Sequence, residues 1–239
     1  MILDYLKSSI KKIIQKLGYS INKNRITFDS IYRKNLNDKP IIFDVGANTG
    51  QSIKRFNSIF PESIIHSFEP IKECWKKMLI NFPSDRFIKN NYALSDKNTN
   101  KKFFLNKHSY TSGLNIINKN YDELHKKDKS KKTIIIKTIT LDKYINLNKI
   151  QKIDILKIDT QGHELSVLKG AKSSLKKNIF HFVEVEIILC DYYKKKVNLH
   201  EIDRVMWENN FDLFDLQEFN YSKNNQIKWF NMLYVNKII

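Results

Sequence analysis

The alternation of short apolar strands with amphipathic helices is the feature that most constrains the fold of this chain. Runs rich in β-branched residues predict strands, and apolar residues at intervals of three and four predict the helices between them. The predicted strands are 41–45, 63–70, 86–96, 153–159 and 179–187, and the predicted helices are 49–60, 71–82 and 163–177. A helical crossover lets successive strands run parallel. We therefore predict an α/β fold with a doubly wound, mostly parallel sheet.

The remaining segments fit one domain of this class with an insertion. We interpret about 97–140 as the insertion, because it is largely polar, rich in lysine and short in apolar periodicity. Outside the core, the predicted elements are strands at 101–105 and 133–141, a helix at 200–209 and a closing antiparallel pair at 211–217 and 228–237. The sequence holds no internal repeat and no interdomain linker. We therefore assign residues 31–239 to one domain and residues 1–30 to a separate helix.

The first residues have the pattern of a basic amphipathic helix. Between residues 2 and 17 the apolar side chains fall on one helical face and the lysines fall largely elsewhere. Such a helix either lies on an anionic membrane surface or covers an edge of its own domain. Lysines interrupt the apolar region that a signal peptide needs, and no apolar run has the length of a spanning helix. We expect a cytoplasmic protein, at the inner face of the membrane if the helix binds lipid.

Charge and cysteine content restrict the partners. The net charge of +17 favours anionic partners such as nucleic acid, a membrane face or phosphorylated small molecules. The lysines are nevertheless spread over every segment, which is also typical of a generally basic, solvated surface. Cys74 and Cys190 have neither the spacing of a metal site nor the number of a disulfide framework. We predict no metal site.

A glycine turn follows the first predicted strand. Gly46 and Gly50 stand directly before a helix, where a backbone can approach a ligand and the helix N-terminus can face it. Glu69 ends the next strand, where an acid can accept hydrogen bonds from both hydroxyls of a ribose. Together these residues predict a ligand of the adenosine type. Neither G-x-G-x-x-G nor a P-loop is present. A turn with few N–H donors and an acid, Asp44, ahead of it suits a ligand with a cationic reactive end, such as S-adenosylmethionine.

Four segments in order, FDVGANTGQSI, FEP, YALSD and LKIDTQGHELSVLKGA, resemble the FkbM-type family of S-adenosylmethionine-dependent methyltransferases. The resemblance covers roughly residues 40–186, with a weaker similarity in WFNMLYVNK. It implies a Rossmann-like class I methyltransferase sheet of seven strands with an antiparallel last strand. It also implies methyl transfer to oxygen, often to sugar hydroxyls in polysaccharide or natural-product assembly.

The resemblance assigns cofactor contacts residue by residue. The first motif would hold the methionine part, Glu69 the ribose, and the third segment would lie near the adenine. The cofactor-binding residues implied in this way are Asp44, Gly46, Asn48, Gly50, Glu69, Pro70, Ala93, Leu94, Ser95 and Asp96. In the last motif Asp159, Gly162 and Glu164 match the family. Gln161 stands where the family often has Glu, so no base or metal role carries over to it.

Methyl transfer to a sugar hydroxyl needs a base, because such a hydroxyl is a poor nucleophile at neutral pH. Ligands of open α/β sheets lie at the carboxyl ends of the strands, and Asp159 closes the fourth core strand there. We predict Asp159 as the base or the group that orients the acceptor. His163 follows, because imidazole titrates near neutrality, and Glu186 near the end of the fifth strand is third. Glu164 either acts with them or complements the dipole of its helix.

These predictions leave three functional hypotheses. The first is an S-adenosylmethionine-dependent O-methyltransferase that acts on a sugar hydroxyl in surface polysaccharide or glycan biosynthesis, with a glycan, a nucleotide-sugar or a lipid-linked sugar as acceptor. In the insertion, His108, Tyr110 and Ser112 either touch this acceptor or belong to an exposed loop. The second is an RNA methyltransferase, but no added RNA-binding module and no N-P-P-[YF] motif is present, so we expect no nucleic acid partner. The third is a non-catalytic Rossmann-like binding domain. We prefer the first, and the oligomeric state stays open.

Overall fold

The computed structural model describes residues 26–118, 120–121, 130–195 and 198–239. The predicted N-terminal helix and most of the charge run in the insertion lie outside these residues. The helices are α1 (Phe28–Asn35), α2 (Gln51–Ile59), α3 (Lys72–Asn81), α4 (Leu141–Leu147), α5 (Glu164–Lys169), α6 (Lys172–Lys176) and α7 (Leu199–Trp207). The strands are β1 (Ile41–Val45), β2 (Ile64–Phe68), β3 (Phe87–Asn90), β4 (Ala93–Leu94), β5 (Thr99–Asn106), β6 (Ser130–Ile139), β7 (Ile153–Ile158), β8 (Phe180–Ile188), β9 (Phe211–Tyr221) and β10 (Ile227–Asn236). Within the described ranges, no helix combines the length and the apolarity needed to cross a membrane.

Seven strands form one sheet in the order β3-β2-β1-β7-β8-β10-β9. All neighbouring pairs from β3 to β8 are parallel, whereas β10 runs antiparallel to both β8 and β9. The strand order reverses beside β1, so β1 and β7 flank the switch point at which open α/β sheets bind ligands. The predicted fold class is confirmed: the sheet is doubly wound and Rossmann-like, with the antiparallel last strand expected of a class I methyltransferase.

Apolar side chains cover both faces of the sheet, as strands between two helical layers require. One core includes Phe43 and Val183 and is covered by α4, α5, α6 and α7. The other includes Ile42 and Phe182 and is covered by α1, α2 and α3. Successive residues of a strand point to opposite faces, so adjacent residues divide between the two cores. The main sheet is therefore the middle of three layers.

The structure divides two elements that the sequence pattern predicts as continuous. The run 86–96 is two strands in different sheets, β3 and β4, because the Asn91 side chain donates hydrogen bonds to two carbonyl groups just after β2 and turns the chain there. The predicted helix 163–177 is two short helices, α5 and α6. They separate at Gly170, where a Cβ would overlap the carbonyl oxygen of Ser95.

Two helices, α1 and α4, are present that the sequence pattern does not predict. Each is short and begins at a threonine that caps it. Thr27 forms a capping box with Ser30, and the Thr140 hydroxyl accepts a hydrogen bond from the Lys143 N–H. The helix α1 crosses residue 30, after which the domain is predicted to begin, and its apolar face is buried in the core.

Two strands of the insertion, β5 and β6, join β4 in a second sheet with the order β4-β6-β5. Strand β6 runs parallel to β4 and antiparallel to β5. A 3₁₀ turn at Ser109–Thr111 follows β5 and brings Tyr110 to the edge of the candidate site. The second sheet therefore contributes to the surroundings of the site.

A row of charged side chains crosses the main sheet on the face that α1 and α2 cover. Asp44, Lys157 and Glu184 are in register on β1, β7 and β8. Arg55 on α2 binds the carboxylates of Glu184 and Asp29, each at 2.8 Å. Burial disfavours the charge on Arg55, but the Glu184 carboxylate outweighs it and raises the pKa of the guanidinium. The ion pair therefore connects both helices to the centre of the sheet.

Substitution of Arg55 by Met should destabilise the fold. It leaves the buried Glu184 carboxylate without its cation, and breaking one side of a buried ion pair costs about 3–5 kcal/mol of unfolding free energy. Urea titration followed by circular dichroism measures this loss. Arg33→Met is the matched control, because Arg33 is exposed on α1 and its loss should stay within about 0.5 kcal/mol. Equal losses in both variants would show that Glu184 does not depend on Arg55.

Candidate active site

A cavity of about 470 Å³ opens toward the carboxyl ends of β1, β2, β7 and β8. This volume lies in the usual range for small-molecule sites, about 300–1,000 Å³. The N-terminus of α2 borders it through Gln51 and Ser52. The apolar lining includes Phe68, Pro70, Ala93 and Leu94, and the charged lining includes Lys157, Asp159 and Glu186. The cavity therefore combines surfaces that can pack on a ring with groups that can carry a reaction.

The glycine turn between β1 and α2 packs closely against the protein itself. Gly46, Asn48 and Gly50 have φ values of 90°, 47° and 95°, which favour glycine and asparagine. A Cβ on Gly46 would overlap the carbonyl oxygen of Asp159, and one on Gly50 would collide with the ring of Phe82. The glycines are thus required by the packing of the turn on its neighbours, whether or not a ligand is present.

Glu69 holds this turn in place. Its Oε2 accepts a hydrogen bond from the Asn48 N–H at 2.8 Å, and its Oε1 accepts one from the Ile71 N–H at 2.7 Å. Burial raises the pKa of this carboxyl to about 7 despite both hydrogen bonds. Glu69 does not line the cavity in the described part of the chain, whereas its neighbours Phe68 and Pro70 do. Its position indicates that Glu69 supports the turn, and that a ligand would touch the turn.

The structure separates the predicted site residues into two groups. Those that line the cavity are Gly46, Asn48, Pro70, Ala93, Leu94, Asp159, His163 and Glu186. Those that lie behind or beside it are Asp44, Gly50, Glu69, Ser95 and Asp96. Asp44 is fully buried in the sheet, and Asp96 borders a different cavity.

Ser95, Asp96 and His163 contact each other. The Ser95 Oγ lies 2.9 Å from Nε2 of His163 and donates to the Asp96 carboxylate at 2.8 Å. Lys101 Nζ donates to Ser95 Oγ and to Asp96 Oδ1, each at 2.7 Å, and its hydrogen bond lowers the pKa of Asp96 to about 2. Burial, aided by the Lys101 charge, lowers the pKa of His163 to about 4. His163 is therefore neutral at neutral pH, and its Nε2 is already hydrogen-bonded to the Ser95 hydroxyl.

Two carboxyl groups and one amide form a cluster at the cavity. The Gln161 Nε2 donates to Asp159 Oδ1 and to Glu186 Oε2, both at 2.9 Å. Lys157 Nζ lies 3.5 Å from Asp159 Oδ2. Burial opposes the charge on Asp159, but Lys157 and the hydrogen bonds outweigh it and lower its pKa. Burial and then the Asp159 charge raise the pKa of Glu186 well above its usual range. Of the two acids, Asp159 therefore ionises first and Glu186 holds its proton more strongly.

Gln161 is oriented by a tyrosine that the sequence analysis did not identify. The Tyr193 hydroxyl donates to Gln161 Oε1 at 2.7 Å and also lies 2.9 Å from the Thr111 carbonyl oxygen. Because the amide oxygen faces Tyr193, the amide NH₂ faces the two acids. Tyr193 follows β8 in a segment without periodicity, so the sequence carries no signal for it. Lys157 does carry one, since a lysine interrupts an otherwise apolar buried strand.

Glu164 supports the turn after β7. Its Oε1 accepts hydrogen bonds from the N–H groups of Thr160 and Gly162 at 2.9 and 3.0 Å. Its Oε2 is buried without a hydrogen-bond partner in the described residues. Burial raises the pKa of Glu164 to about 7. The contacts indicate a role in the shape of this turn.

The site fits S-adenosylmethionine in its chemistry. The apolar lining suits an adenine ring, and the ionised Asp159 suits the neighbourhood of a sulfonium cation. The N-terminus of α2 suits a carboxylate such as that of the methionine part. Among the described residues, no three His, Cys, Asp or Glu side chains are arranged to hold a metal ion.

Comparison with known proteins gives the family. The family model described as the methyltransferase FkbM domain matches residues 44–213, which is more than half of the chain. The chain belongs to the FkbM methyltransferase family. The resemblance seen in the four sequence segments is therefore confirmed.

Two curated relatives share part of their length with this protein. The 2-O-methyltransferase NoeI of Sinorhizobium fredii is 28% identical over 152 residues, which are 61% of this chain and 63% of NoeI. The hexuronic acid methyltransferase AglP of Haloferax volcanii is 38% identical over 53 residues, which are 22% of each chain. The match thus spans less than two thirds of either relative. Among solved structures, the FkbM methyltransferase of Methylobacillus flagellatus is 14% identical with a TM-score of 0.49, covering 85% of this chain and 47% of that one.

Substitution of Glu164 by Gln should remove a pH dependence of folding. The pKa of Glu164 is about 7 in the folded state and about 4.5 in the unfolded state, so the folded state binds more protons between these values. The free energy of unfolding therefore falls as the pH rises through this window, by at most about 3 kcal/mol. Gln keeps the accepting oxygen but does not titrate.

Urea titrations from pH 5 to pH 8 measure this effect. The stability of Glu164→Gln relative to the wild type should rise across the window, because only the wild type loses its protonated carboxyl. Glu62→Gln is the control, since Glu62 is exposed and should show no such trend. Parallel curves for Glu164→Gln and the wild type would contradict the assignment.

Proposed function

We propose that this FkbM-family protein uses S-adenosylmethionine to methylate a sugar hydroxyl in polysaccharide or glycan biosynthesis. The observation that carries the proposal is the ionised Asp159, held at the cavity by Lys157 and Gln161. A carboxylate in this position can accept the proton that a hydroxyl must lose on methylation. The names of the two relatives, a 2-O-methyltransferase and a hexuronic acid methyltransferase, support oxygen and sugar as the acceptor.

Different residues of the cavity would bind different parts of S-adenosylmethionine. S-adenosylmethionine, when bound, supplies a methyl group on a positively charged sulfur. Phe68 and Leu94 would pack against its adenine ring. Glu69 accepts the N–H groups of Asn48 and Ile71, so it would act on the ribose side of the site by supporting the turn that the donor contacts. The turn at Gly46 and Asn48 would lie along the methionine part.

Asp159 is the proposed base. Bound S-adenosylmethionine would supply the methyl group to the acceptor oxygen and would leave as S-adenosylhomocysteine. The hydroxyl proton passes to the Asp159 carboxylate, so no charged alkoxide has to form in the cavity. Lys157 keeps Asp159 ionised beforehand, whereas burial and the Asp159 charge favour the protonated form of Glu186.

Gln161 and Tyr193 act as positioning residues. The amide holds both carboxyl groups, and Tyr193 fixes the amide. Orientation of the base relative to the methyl group matters because an in-line displacement tolerates little misalignment. A rigid set of hydrogen bonds supplies this orientation without a closing motion.

An anionic carrier for the acceptor sugar fits the basic character of the chain. The net charge is +17, and Lys101, Lys102 and Lys195 border a cavity of about 520 Å³ that shares His163 with the active site. A diphosphate of a nucleotide-sugar or of a lipid-linked sugar would be attracted to such a surface. We propose a cytoplasmic location, at the inner face of the membrane if the carrier is a lipid.

Substitution of Asp159 by Asn should lower kcat by roughly 10²–10⁴-fold, the usual contribution of a general base. The affinity for S-adenosylhomocysteine should change little, because Asn keeps the shape of the side chain. Release of S-adenosylhomocysteine in the presence of a panel of nucleotide-sugars and oligosaccharides measures kcat. Asp38→Asn, on an exposed loop, is the control. An unchanged kcat would exclude Asp159 as the base.

Substitution of Glu69 by Ala should weaken cofactor binding by about 1.5–3 kcal/mol, the usual value for hydrogen bonds to a charged group. The variant loses the support of the Asn48 turn that the donor would contact. Calorimetric titration with S-adenosylmethionine and S-adenosylhomocysteine measures the affinity, with Glu62→Ala as the exposed control. If the wild type binds neither compound at millimolar concentration, the non-catalytic binding domain becomes the better hypothesis.

A further inference from the structure

A smaller cavity adjoins the 470 Å³ cavity of the active site at Asp159 and Glu186. It has a volume of about 290 Å³ and shares Asp159, Gln161, Glu186 and Tyr110 with that larger cavity. The base therefore stands at the boundary between two compartments. If the larger one takes the methyl donor, the smaller one lies where the acceptor has to be. Its volume, at the lower end of the range for ligand sites, suits a single ring.

Aromatic side chains dominate the walls of this acceptor cavity. Trp229, Tyr192 and Tyr110 line it together with Ile188. Tyr110 is 60% exposed, so burial in the core does not account for an aromatic residue there. Aromatic faces carry partial negative charge and attract the weakly positive C–H groups on the apolar face of a sugar ring. The walls thus suit a pyranose that presents one apolar face.

The charges at this cavity are acidic. Among its described lining residues there is no Lys, Arg or His, whereas Asp159 and Glu186 both face it. The nearby Lys228 does not line the cavity, and its Nζ lies over the Trp229 ring at 4.8 Å from the centroid. A carboxylate on the sugar would meet the Asp159 charge directly, because the Lys157 cation that offsets this charge lines the 470 Å³ cavity and not this one.

We infer that the acceptor bound at this cavity is a neutral pyranose that stacks on Trp229 and Tyr110, and that sugars of the uronic acid type are rejected. The inference rests on the proposed function and narrows its substrate class. It separates this protein from AglP, whose name gives hexuronic acid as the substrate.

The thiol of Cys190 reports on occupancy of the cavity without any need for turnover. Cys190 lines the cavity and is partly exposed. The other thiol, Cys74, is buried, and burial raises its pKa to about 11, so it reacts slowly. Alkylation by iodoacetamide, followed by peptide mass spectrometry, gives the rate at Cys190 alone.

The experiment compares matched sugars in the presence of S-adenosylhomocysteine. The probes are the methyl glycosides of glucose, galactose and mannose, each beside the corresponding uronic acid. At least one neutral glycoside should protect Cys190, and its uronic acid should need at least a tenfold higher concentration for the same protection. Equal or better protection by the uronic acids, or no protection by any probe, would overturn the inference.

Variants test the stacking. Trp229→Ala should raise the half-protecting concentration at least tenfold, and Trp229→Phe should bring this concentration most of the way back to the wild-type value. Trp207→Ala is the control and should have no effect, because Trp207 is exposed on α7 away from the cavity. Tyr110→Ala provides a second test, since its exposed ring can be removed without a cavity in the core. An unchanged affinity for S-adenosylhomocysteine shows that each variant is folded.

The two proposals fail in different ways. If a sugar accepts the methyl group but Trp229→Ala and Tyr110→Ala leave KM and Cys190 protection unchanged, the acceptor cavity is wrong and the proposed function stands. If neutral glycosides protect Cys190 but no sugar in the panel accepts a methyl group, the binding site stands and the proposed reaction is wrong.

Discussion

The buried ammonium group of Lys157 is the interaction on which both the sheet and the site depend. It contacts the carboxylates of Asp44 and Asp159 on either side. Glu184 and Glu186, on the neighbouring strand, add to the field that keeps it charged. Without a cation at this point the acids would repel one another, and their loss of hydration would be uncompensated. The charge that lets β1, β7 and β8 lie side by side is thus also the charge that keeps Asp159 ionised.

The amide at position 161 changes the balance of charge in this cluster. A glutamate, which the family often has there, would bring a third carboxyl group beside Asp159 and Glu186, with the single cation of Lys157 to offset them. Gln161 instead donates a hydrogen bond to each acid and is neutral at every pH. Tyr193 determines which end of the amide faces the acids. This member of the family therefore orients its acids by hydrogen bonds where relatives with Glu add a charge.

Periodicity and spacing predict the main sheet, because buried parallel strands and their crossover helices have strong local patterns. They also predict that Asp159 and Glu186 meet at one edge, since that follows from the strand order. Periodicity does not predict short helices such as α1 and α4, because two turns of helix are too short to establish a period. Ser95 and Asp96 show a different limit: motif position indicates a neighbourhood, but whether a side chain faces the cavity depends on partners such as Lys101 that lie elsewhere in the chain.

The contact between Gly46 and the backbone of Asp159 has a consequence for how the enzyme can evolve. The turn after β1 and the turn after β7 touch without space for even a methyl group. In the proposed reaction, this contact fixes the position of Asp159 relative to the turn at which the donor would bind. New acceptors can then be accommodated only by changes in the outer walls, at the 3₁₀ turn after β5, the segment after β8 and the start of β10. Those segments can diverge while the reaction stays the same.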